Sequence, residues 1–111
     1  MNQGVTTVIY PVKNMAQAKT RFRTLLGIEL YSDEPYYVGF KVESQDIGLV
    51  PNSPEAGMTA FYYVDDIKQS LQALLDAGSQ ILREVNDVGG ERLVASVRDP
   101  DGNTIGLIQD T

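Results

Sequence analysis

Two similar stretches of sequence, 52 residues apart, determine the fold of this chain. They are Thr6–Val12 (TTVIYPV) and Met58–Val64 (MTAFYYV), and each is an apolar run of β-favouring residues that ends in valine. Each run predicts a strand. Because similarity at a fixed spacing indicates a duplicated structural unit, we interpret the rest of the chain as two copies of one module.

A helix is predicted directly after each of these strands. Asn14 and Asp66 are N-cap residue types, and each has a glutamine three residues later, which is the spacing of a capping box. Apolar residues then recur at steps of three and four, at Met15, Ala18, Phe22, Leu25 and Leu26 and again at Ile67, Leu71, Leu74 and Leu75. Gly27 and Gly78 stand where a left-handed residue ends a helix. Each helix should therefore pack one apolar face on a sheet.

Three further strands are expected in each half of the chain. They cover Ile28–Tyr31, Tyr37–Val42 and Asp46–Val50 in the first half, and Gln80–Val85, Arg92–Arg98 and Thr104–Ile108 in the second. Residues 51–57 contain two prolines and a glycine and read as a connector. A half of about 55 residues is too small to bury a sufficient core by itself. The prediction is an α+β fold in one domain, 1–111, whose two β-α-β-β-β modules (1–50 and 58–111) form one cup-shaped mixed sheet with helices on the outer face.

Composition excludes several classes of chemistry and partner. The chain has 111 residues with 9 basic and 15 acidic side chains, a net charge of −6, and no Cys, His or Trp. It therefore lacks disulfides, thiolate nucleophiles, a Ser-His-Asp triad and imidazole or thiolate metal ligands. The acidic balance argues against nucleic acid and membranes, and no basic segment precedes an apolar one at the amino terminus, which favours a cytoplasmic location. Residues 56–111 carry 4 basic and 9 acidic side chains, which suits a cationic or neutral partner better than an anionic one.

The paired modules, together with Val64–Ile67 (VDDI) and Arg98–Ile105 (RDPDGNTI), resemble the vicinal oxygen chelate superfamily. That group includes glyoxalase I, bleomycin resistance proteins and extradiol dioxygenases. The Asp-Pro-Asp-Gly-Asn segment is itself expected to be a structural turn, because proline fixes φ, glycine supplies a positive φ and Asx side chains bond nearby amides. The resemblance implies the cup-shaped fold and the pairing of two chains as a homodimer.

The resemblance also implies where a metal ion would bind. Members that do metal chemistry place His, Glu or Gln at one position on the first strand and one on the last strand of each module. Those positions hold Thr7, Gly48, Thr59 and Gly106 in this chain. A threonine hydroxyl is a poor ligand by itself and glycine has no ligand at all. We therefore expect no metal or other cofactor, and activities that need the metal are disfavoured.

Alternation along the strands predicts which side chains face the concavity. If Val8, Tyr10 and their counterparts face the helices, the remaining side chains form a small-molecule site. The predicted ligand-binding residues are Thr7, Ile9, Tyr37, Gly48, Val50, Thr59, Phe61, Tyr63, Gly106 and Ile108. The alternative is that these side chains simply fill the concavity as core. The matched glycines suggest close backbone approach, preserved space or a β-bulge.

Two functions of different classes follow. The first is metal-independent binding of a small, partly hydrophobic molecule, similar to bleomycin-resistance-type drug-binding proteins. The second is an enzyme, a glyoxalase-like isomerase or lyase or another enzyme of the superfamily, with an atypical site that uses carboxylates, Tyr63 or an arginine. The sequence identifies no catalytic pair for it. Arg92 and Arg98 are an even number of residues apart on one strand, so their side chains face the same side of the sheet. Either can bind a ligand carboxylate or form a surface ion pair. A protein-interaction role is a third class, for which no motif is present.

Overall fold

The computed structural model describes residues 4–53, 55 and 57–110. Pro54 and Ala56 of the predicted connector, residues 1–3 and residue 111 lie outside the described residues. The first module consists of β1 (Val5–Pro11), α1 (Met15–Leu26), β2 (Ser32–Glu34), β3 (Tyr37–Val42) and β4 (Gln45–Val50). The second module consists of β5 (Thr59–Tyr63), α2 (Ile67–Asp76), β6 (Gln80–Asp87), β7 (Arg92–Arg98) and β8 (Thr104–Asp110).

All of these strands belong to one open mixed sheet in the order β2-β3-β4-β1-β5-β8-β7-β6. The first strand of each module runs parallel to its last strand, and the other pairs are antiparallel. The modules join at the centre, where β1 pairs with β5 and Val8 lies opposite Ala60. The predicted α+β fold of two β-α-β-β-β modules is confirmed.

Each helix packs on the outer face of the sheet through its own core. Ala18 and Phe22 of α1 are buried in a cluster that includes Phe40 of β3, whereas Ile67 and Leu71 of α2 are buried against strands of the second module. Burial of each large apolar side chain contributes about 1.5–3 kcal/mol. Every buried side chain of the two helices therefore holds its helix to its own module.

The predicted helix ends are confirmed by their hydrogen bonds. The side chain of Asn14 accepts a hydrogen bond from the backbone N–H of Gln17, and that of Asp66 accepts one from Gln69. Gly27 ends α1 with a φ of 69°, in the left-handed region that favours glycine. The two helices therefore start by the same capping interaction at matching positions of the two modules.

Two details of the prediction were wrong in the first module. Leu25 is 72% exposed, because the buried line on α1 runs through Ala18, Phe22 and the half-buried Leu26. The strand predicted at Ile28–Tyr31 is found instead at β2, because Ile28 pairs with no strand and packs against the α1 core. Of the described helices, neither is long and apolar enough to cross a membrane.

Candidate functional site

A cavity of about 270 Å³ lies on the concave face of the sheet, where the two modules and the connector meet. The predicted residues that line it are Thr7, Ile9, Tyr37, Val50, Phe61 and Ile108. Arg92, which the sequence offered as a partner for a ligand carboxylate, also lines it, and sequence reasoning missed the remaining described lining residues, which are Ser53, Glu55, Arg83, Val88 and Val94. The cavity therefore has apolar and aromatic walls, as expected, together with the charged groups of Glu55 and Arg83, which were not expected.

The alternation predicted along the strands is confirmed by the composition of the cores. Tyr10 packs with the α1 cluster and Tyr62 with the α2 cluster, so these side chains face the helices. Phe61, Val94 and Ile108 form a separate buried cluster on the concave side, with Ile9 and Tyr63 against it. This inner cluster forms much of the apolar wall of the cavity.

Four predicted ligand-binding residues, Gly48, Thr59, Tyr63 and Gly106, do not line the cavity. Phe61 lies directly opposite Gly106 on the neighbouring strand, and a Cβ atom on Gly106 would collide with its ring. In the first module, a Cβ atom on Gly48 would lie 2.7 Å from Ile9 Cδ1 and from Tyr37 Cε1. Each glycine therefore allows side chains of neighbouring strands to lie flat against its own strand, because it has no Cβ atom.

The hydroxyl groups of Thr7 and Thr59 are buried on the same inner face of the sheet. Thr7 is 4% exposed and Thr59 is 1% exposed, and neither Oγ1 atom has a hydrogen-bond partner among the described residues. A buried polar group without a partner costs about 1–3 kcal/mol. Thr7 is among the residues that line the cavity, and its unpartnered hydroxyl lies within the cavity wall.

The carboxylate of Glu55 is the most deeply buried charge at the site, since this residue is 3% exposed. Its Oε1 atom accepts hydrogen bonds from Ser53 Oγ at 2.9 Å and Arg83 Nη2 at 3.1 Å. Its Oε2 atom accepts one from Ser96 Oγ at 2.7 Å. Both carboxylate oxygens are therefore satisfied, and the guanidinium of Arg83 offsets the buried charge.

Arg92, at the start of β7, is held in a fixed orientation beside the cavity. Its Nε and Nη2 atoms donate to the two carboxylate oxygens of Asp110 at 2.8 and 3.0 Å. Nη2 also donates to Tyr63 Oη at 2.7 Å. These interactions, with the Asp110 hydrogen bonds first, raise the pKa of Arg92 above its usual value. Arg98, at the other end of the same strand, is exposed and does not line the cavity.

A larger depression of about 570 Å³ lies on the outer face, between α2 and strands β5 and β8. Its floor includes Tyr62 and Leu107 of the α2 core, and Asp65 and Asp66 stand beside them. We place the candidate site in the smaller cavity, because the buried side chain of Thr7 and the charged groups of the connector and the second module lie there.

The residues present do not fit the metal ion that some relatives use. The ligand positions hold two threonines and two glycines, and the described residues contain no cluster of three or more acidic, His or Cys side chains able to hold a metal. The one described carboxylate that lines the cavity, Glu55, is bonded to Arg83, whose positive charge disfavours a cation. No step of a reaction can therefore be assigned to a metal held by these side chains.

A family model of the Glyoxalase/Bleomycin resistance protein/Dioxygenase superfamily matches residues 4–107. The chain belongs to this superfamily. The superfamily fold is also found by comparison with solved structures. A glyoxalase/bleomycin resistance protein/dioxygenase superfamily member from Vibrio splendidus is 18% identical with a TM-score of 0.77, and each chain is covered to 100%.

Two other solved structures have the same fold and are named for different enzyme activities. Methylmalonyl-CoA epimerase from Mycobacterium tuberculosis is 17% identical, with a TM-score of 0.73 over 97% of this chain and 88% of that chain. An NAD-dependent benzaldehyde dehydrogenase from Legionella pneumophila is 18% identical, with a TM-score of 0.74 over 100% of both chains. No curated protein matches the sequence. At this level of identity, the likeness shows the fold alone.

Proposed function

We propose that this superfamily member binds a small, partly hydrophobic molecule in the concave cavity without a metal ion, as bleomycin-resistance-type proteins bind drugs. The observation that carries the proposal is the buried, unpartnered hydroxyl of Thr7 in a cavity with otherwise largely apolar walls. Such a combination is typical of ligand sites, where a few polar groups orient a molecule held by apolar contact. The volume of about 270 Å³ lies just below the roughly 300–1,000 Å³ of drug-sized sites, so the ligand is small.

Binding would rest on apolar burial and one oriented hydrogen bond. The ring of Phe61 and the side chains of Ile9 and Ile108 supply apolar surface, which contributes about 25 cal/mol for each Å² removed from water. Tyr37 adds an aromatic face from the first module. The Thr7 hydroxyl would gain the partner that it lacks within the protein.

The proposal can be tested with benzyl alcohol, a probe with one ring and one hydroxyl. Titration followed by ¹H–¹⁵N NMR should shift the amide signals of Thr7, Phe61 and Ile108. Val88 lines the cavity but is 50% exposed, so Val88→Phe should block the cavity without disturbing the core and weaken binding at least tenfold. Ile81→Phe, a substitution at an exposed residue of β6 outside the cavity, is the matched control. Equal binding by both variants, or no shifts in the parent protein, would contradict the proposal.

Glu55 favours a second function, an isomerase or lyase with an atypical site. A buried carboxylate beside a cavity can remove a proton from a carbon next to a carbonyl group, and the neighbouring Arg83 guanidinium can stabilise the resulting enolate. Return of the proton to the opposite face of that carbon would invert its configuration and complete an isomerisation. We propose this chemistry as the alternative to simple binding.

The enzyme alternative is tested with propiophenone in D₂O, where proton removal exchanges hydrogen for deuterium at the carbon next to the carbonyl. The enzyme alternative would be supported if the parent protein exchanges this hydrogen faster than buffer alone and the Glu55→Gln variant does not. The control is Glu84→Gln, which changes an exposed carboxylate on β6. Exchange at the buffer rate in the parent protein would leave binding as the better function.

Pairing of two chains and a cytoplasmic location stay predictions, and the support for the pairing is the superfamily resemblance. Native mass spectrometry of the purified protein counts chains directly and also reveals any retained small molecule. A monomer at micromolar concentration would contradict the pairing, without bearing on binding by the cavity of one chain.

A further inference from the structure

The charges that line the cavity differ in sign from the charge of the whole chain. The described lining residues include two arginines, Arg83 and Arg92, and one carboxylate, Glu55, so the wall carries one positive charge in excess. The chain as a whole carries −6. Asp110, which pairs with Arg92, is not among the lining residues, and its side chain is 47% exposed. Because charges close to a ligand act on it more strongly than distant, screened ones, we expect the charges at the cavity to matter more for the choice of ligand than the charge of the whole chain.

The two arginines come from neighbouring strands and keep donors for a ligand. Arg83 lies on β6 and Arg92 begins β7, and Val88, whose N–H donates to the carbonyl of Arg92 at 3.0 Å, lines the cavity with them. The bonds to Glu55, Asp110 and Tyr63 use Nη2 of Arg83 and Nε and Nη2 of Arg92. Within the described part of the chain, Nη1 of neither arginine has a protein partner.

Glu55 offers little to a positively charged ligand. Its two oxygens already accept hydrogen bonds from two serine hydroxyls and Arg83. A ligand cation would need to displace one of those donors and would approach two guanidinium groups. A ligand anion would be attracted by the same two guanidinium groups, and a planar guanidinium matches the geometry of a carboxylate.

We propose that the ligand of this cavity is a small organic carboxylate, with its anionic group bound by Arg83 and Arg92 and its apolar body against the inner cluster around Phe61. This inference rests on the proposed binding function and names its ligand class. It also reverses the expectation of a cationic or neutral partner, which followed from the charge of the second half of the sequence. That charge lies largely elsewhere on the molecule.

Three probes with one phenyl ring and different charge test the proposal: phenylacetate, 2-phenylethanol and phenethylamine. Their dissociation constants are measured by NMR titration at low ionic strength. Phenylacetate should bind at least tenfold more tightly than 2-phenylethanol, and phenethylamine should bind most weakly. Equal affinities, or tightest binding of phenethylamine, would overturn the carboxylate assignment.

Two arginines on the same strand provide a matched pair of variants. Arg92→Met should weaken phenylacetate binding about tenfold and leave 2-phenylethanol binding within twofold. Arg98→Met removes the same charge at an exposed position outside the cavity, so it should change neither constant by more than twofold. Equal losses in both variants would attribute the effect to overall charge and contradict a specific site.

Arg83 needs a compensated variant, because its removal would leave the buried Glu55 carboxylate without its ion pair. Arg83→Met combined with Glu55→Gln removes both charges and should weaken phenylacetate binding with little effect on 2-phenylethanol. Unchanged phenylacetate binding in this double variant would remove Arg83 from the site. If 2-phenylethanol binds the parent protein and phenylacetate binds no better, only the carboxylate inference fails. If none of the probes binds, the proposed binding function itself fails.

Discussion

Gly48 and Gly106 show how one residue type solves the same packing problem twice. Each lies on the last strand of its module, beside a parallel first strand whose side chain leans across it. The absence of a Cβ atom brings Ile9 and Tyr37 onto Gly48, and Phe61 onto Gly106. The two positions that the superfamily resemblance assigns to metal ligands therefore support the apolar wall in this chain.

The substitution Gly106→Ala should lower the free energy of unfolding by about 1–3 kcal/mol, since the added methyl group overlaps the ring of Phe61. Urea denaturation of the parent and the variant measures the loss. In a Phe61→Ala background, the same substitution should cost much less, because the ring is absent. Equal losses in both backgrounds would show that the methyl group and the ring do not compete for space.

At the scale of single residues, the sequence predicted the apolar part of the site and offered Arg92 as a partner for a ligand carboxylate, but it missed Glu55 and Arg83. Strand alternation is a local rule, and it was sufficient to place Thr7, Ile9 and Phe61 on the cavity side. Glu55 stands in a connector with no periodicity, and its buried position depends on Arg83 and Ser96, which are 28 and 41 residues away. Such distant pairing leaves no signal in the neighbouring sequence.

At the scale of elements, α1 is a helix with a narrow buried face. The line through Ala18, Phe22 and Leu26 follows steps of four residues, so the adjacent Leu25 points to solvent although it fits the apolar pattern. Apolar periodicity predicted the helix but was too coarse to separate two neighbouring leucines. The exact edge of an apolar stripe depends on the sheet beneath it.

Two truncations on α1 should differ strongly in their effect on stability. Phe22→Ala removes a buried ring that lies 4.8 Å, centroid to centroid, from Tyr10, and should cost about 3–5 kcal/mol of unfolding free energy. Leu25→Ala, at an exposed position, should change it by no more than about 0.5 kcal/mol. Chemical denaturation of both variants provides the comparison. Similar losses would mean that Leu25 is buried by a contact in solution.

The turn between β7 and β8 should contribute to stability in a pH-dependent way. Asp99 accepts hydrogen bonds from the N–H groups of Asn103 at 2.8 Å and Asp101 at 3.0 Å, and these bonds lower its pKa, with that to Asn103 first. A lowered folded-state pKa means that the contribution is present above the unfolded value of about 3.9 and is lost as the pH falls through the folded value.

Asp99→Asn keeps a side-chain oxygen in the turn but removes its charge. The variant should therefore be less stable than the parent at pH 7, and the difference should shrink as the pH is lowered below about 4. Denaturation of both proteins at several pH values measures this. A difference that stays constant from pH 7 to pH 2.5 would contradict the assigned role of the carboxylate.

At the scale of the whole molecule, the two modules share a scaffold but contribute differently to the site. The first module supplies Thr7, Ile9, Tyr37 and Val50, which are uncharged, whereas Arg83 and Arg92 belong to the second module. The duplicated pattern in the sequence therefore predicted the fold. It could not predict the site, because the two copies have diverged in the residues that line it.

Neither module should fold by itself. A fragment of residues 58–110 loses the pairing of β5 with β1 and exposes the inner cluster around Phe61, and about 55 residues bury too little surface to compensate. We expect a poorly dispersed ¹H–¹⁵N NMR spectrum for this fragment and a well-dispersed one for the intact chain. A dispersed, cooperatively unfolding fragment would contradict the dependence of each module on the other.

The connector between the modules also has a mechanical effect. The halves are joined at the centre of the sheet by β1 and β5, and Glu55 also joins the connector that follows β4 to Arg83 on β6 and Ser96 on β7. The Glu55 contacts add to the β1–β5 pairing, and contacts at two separate places limit the movement of the connector relative to the sheet more than one would. Under the proposed binding function, we therefore expect the mouth of the cup to keep a nearly constant width and to select molecules by size without closing around them.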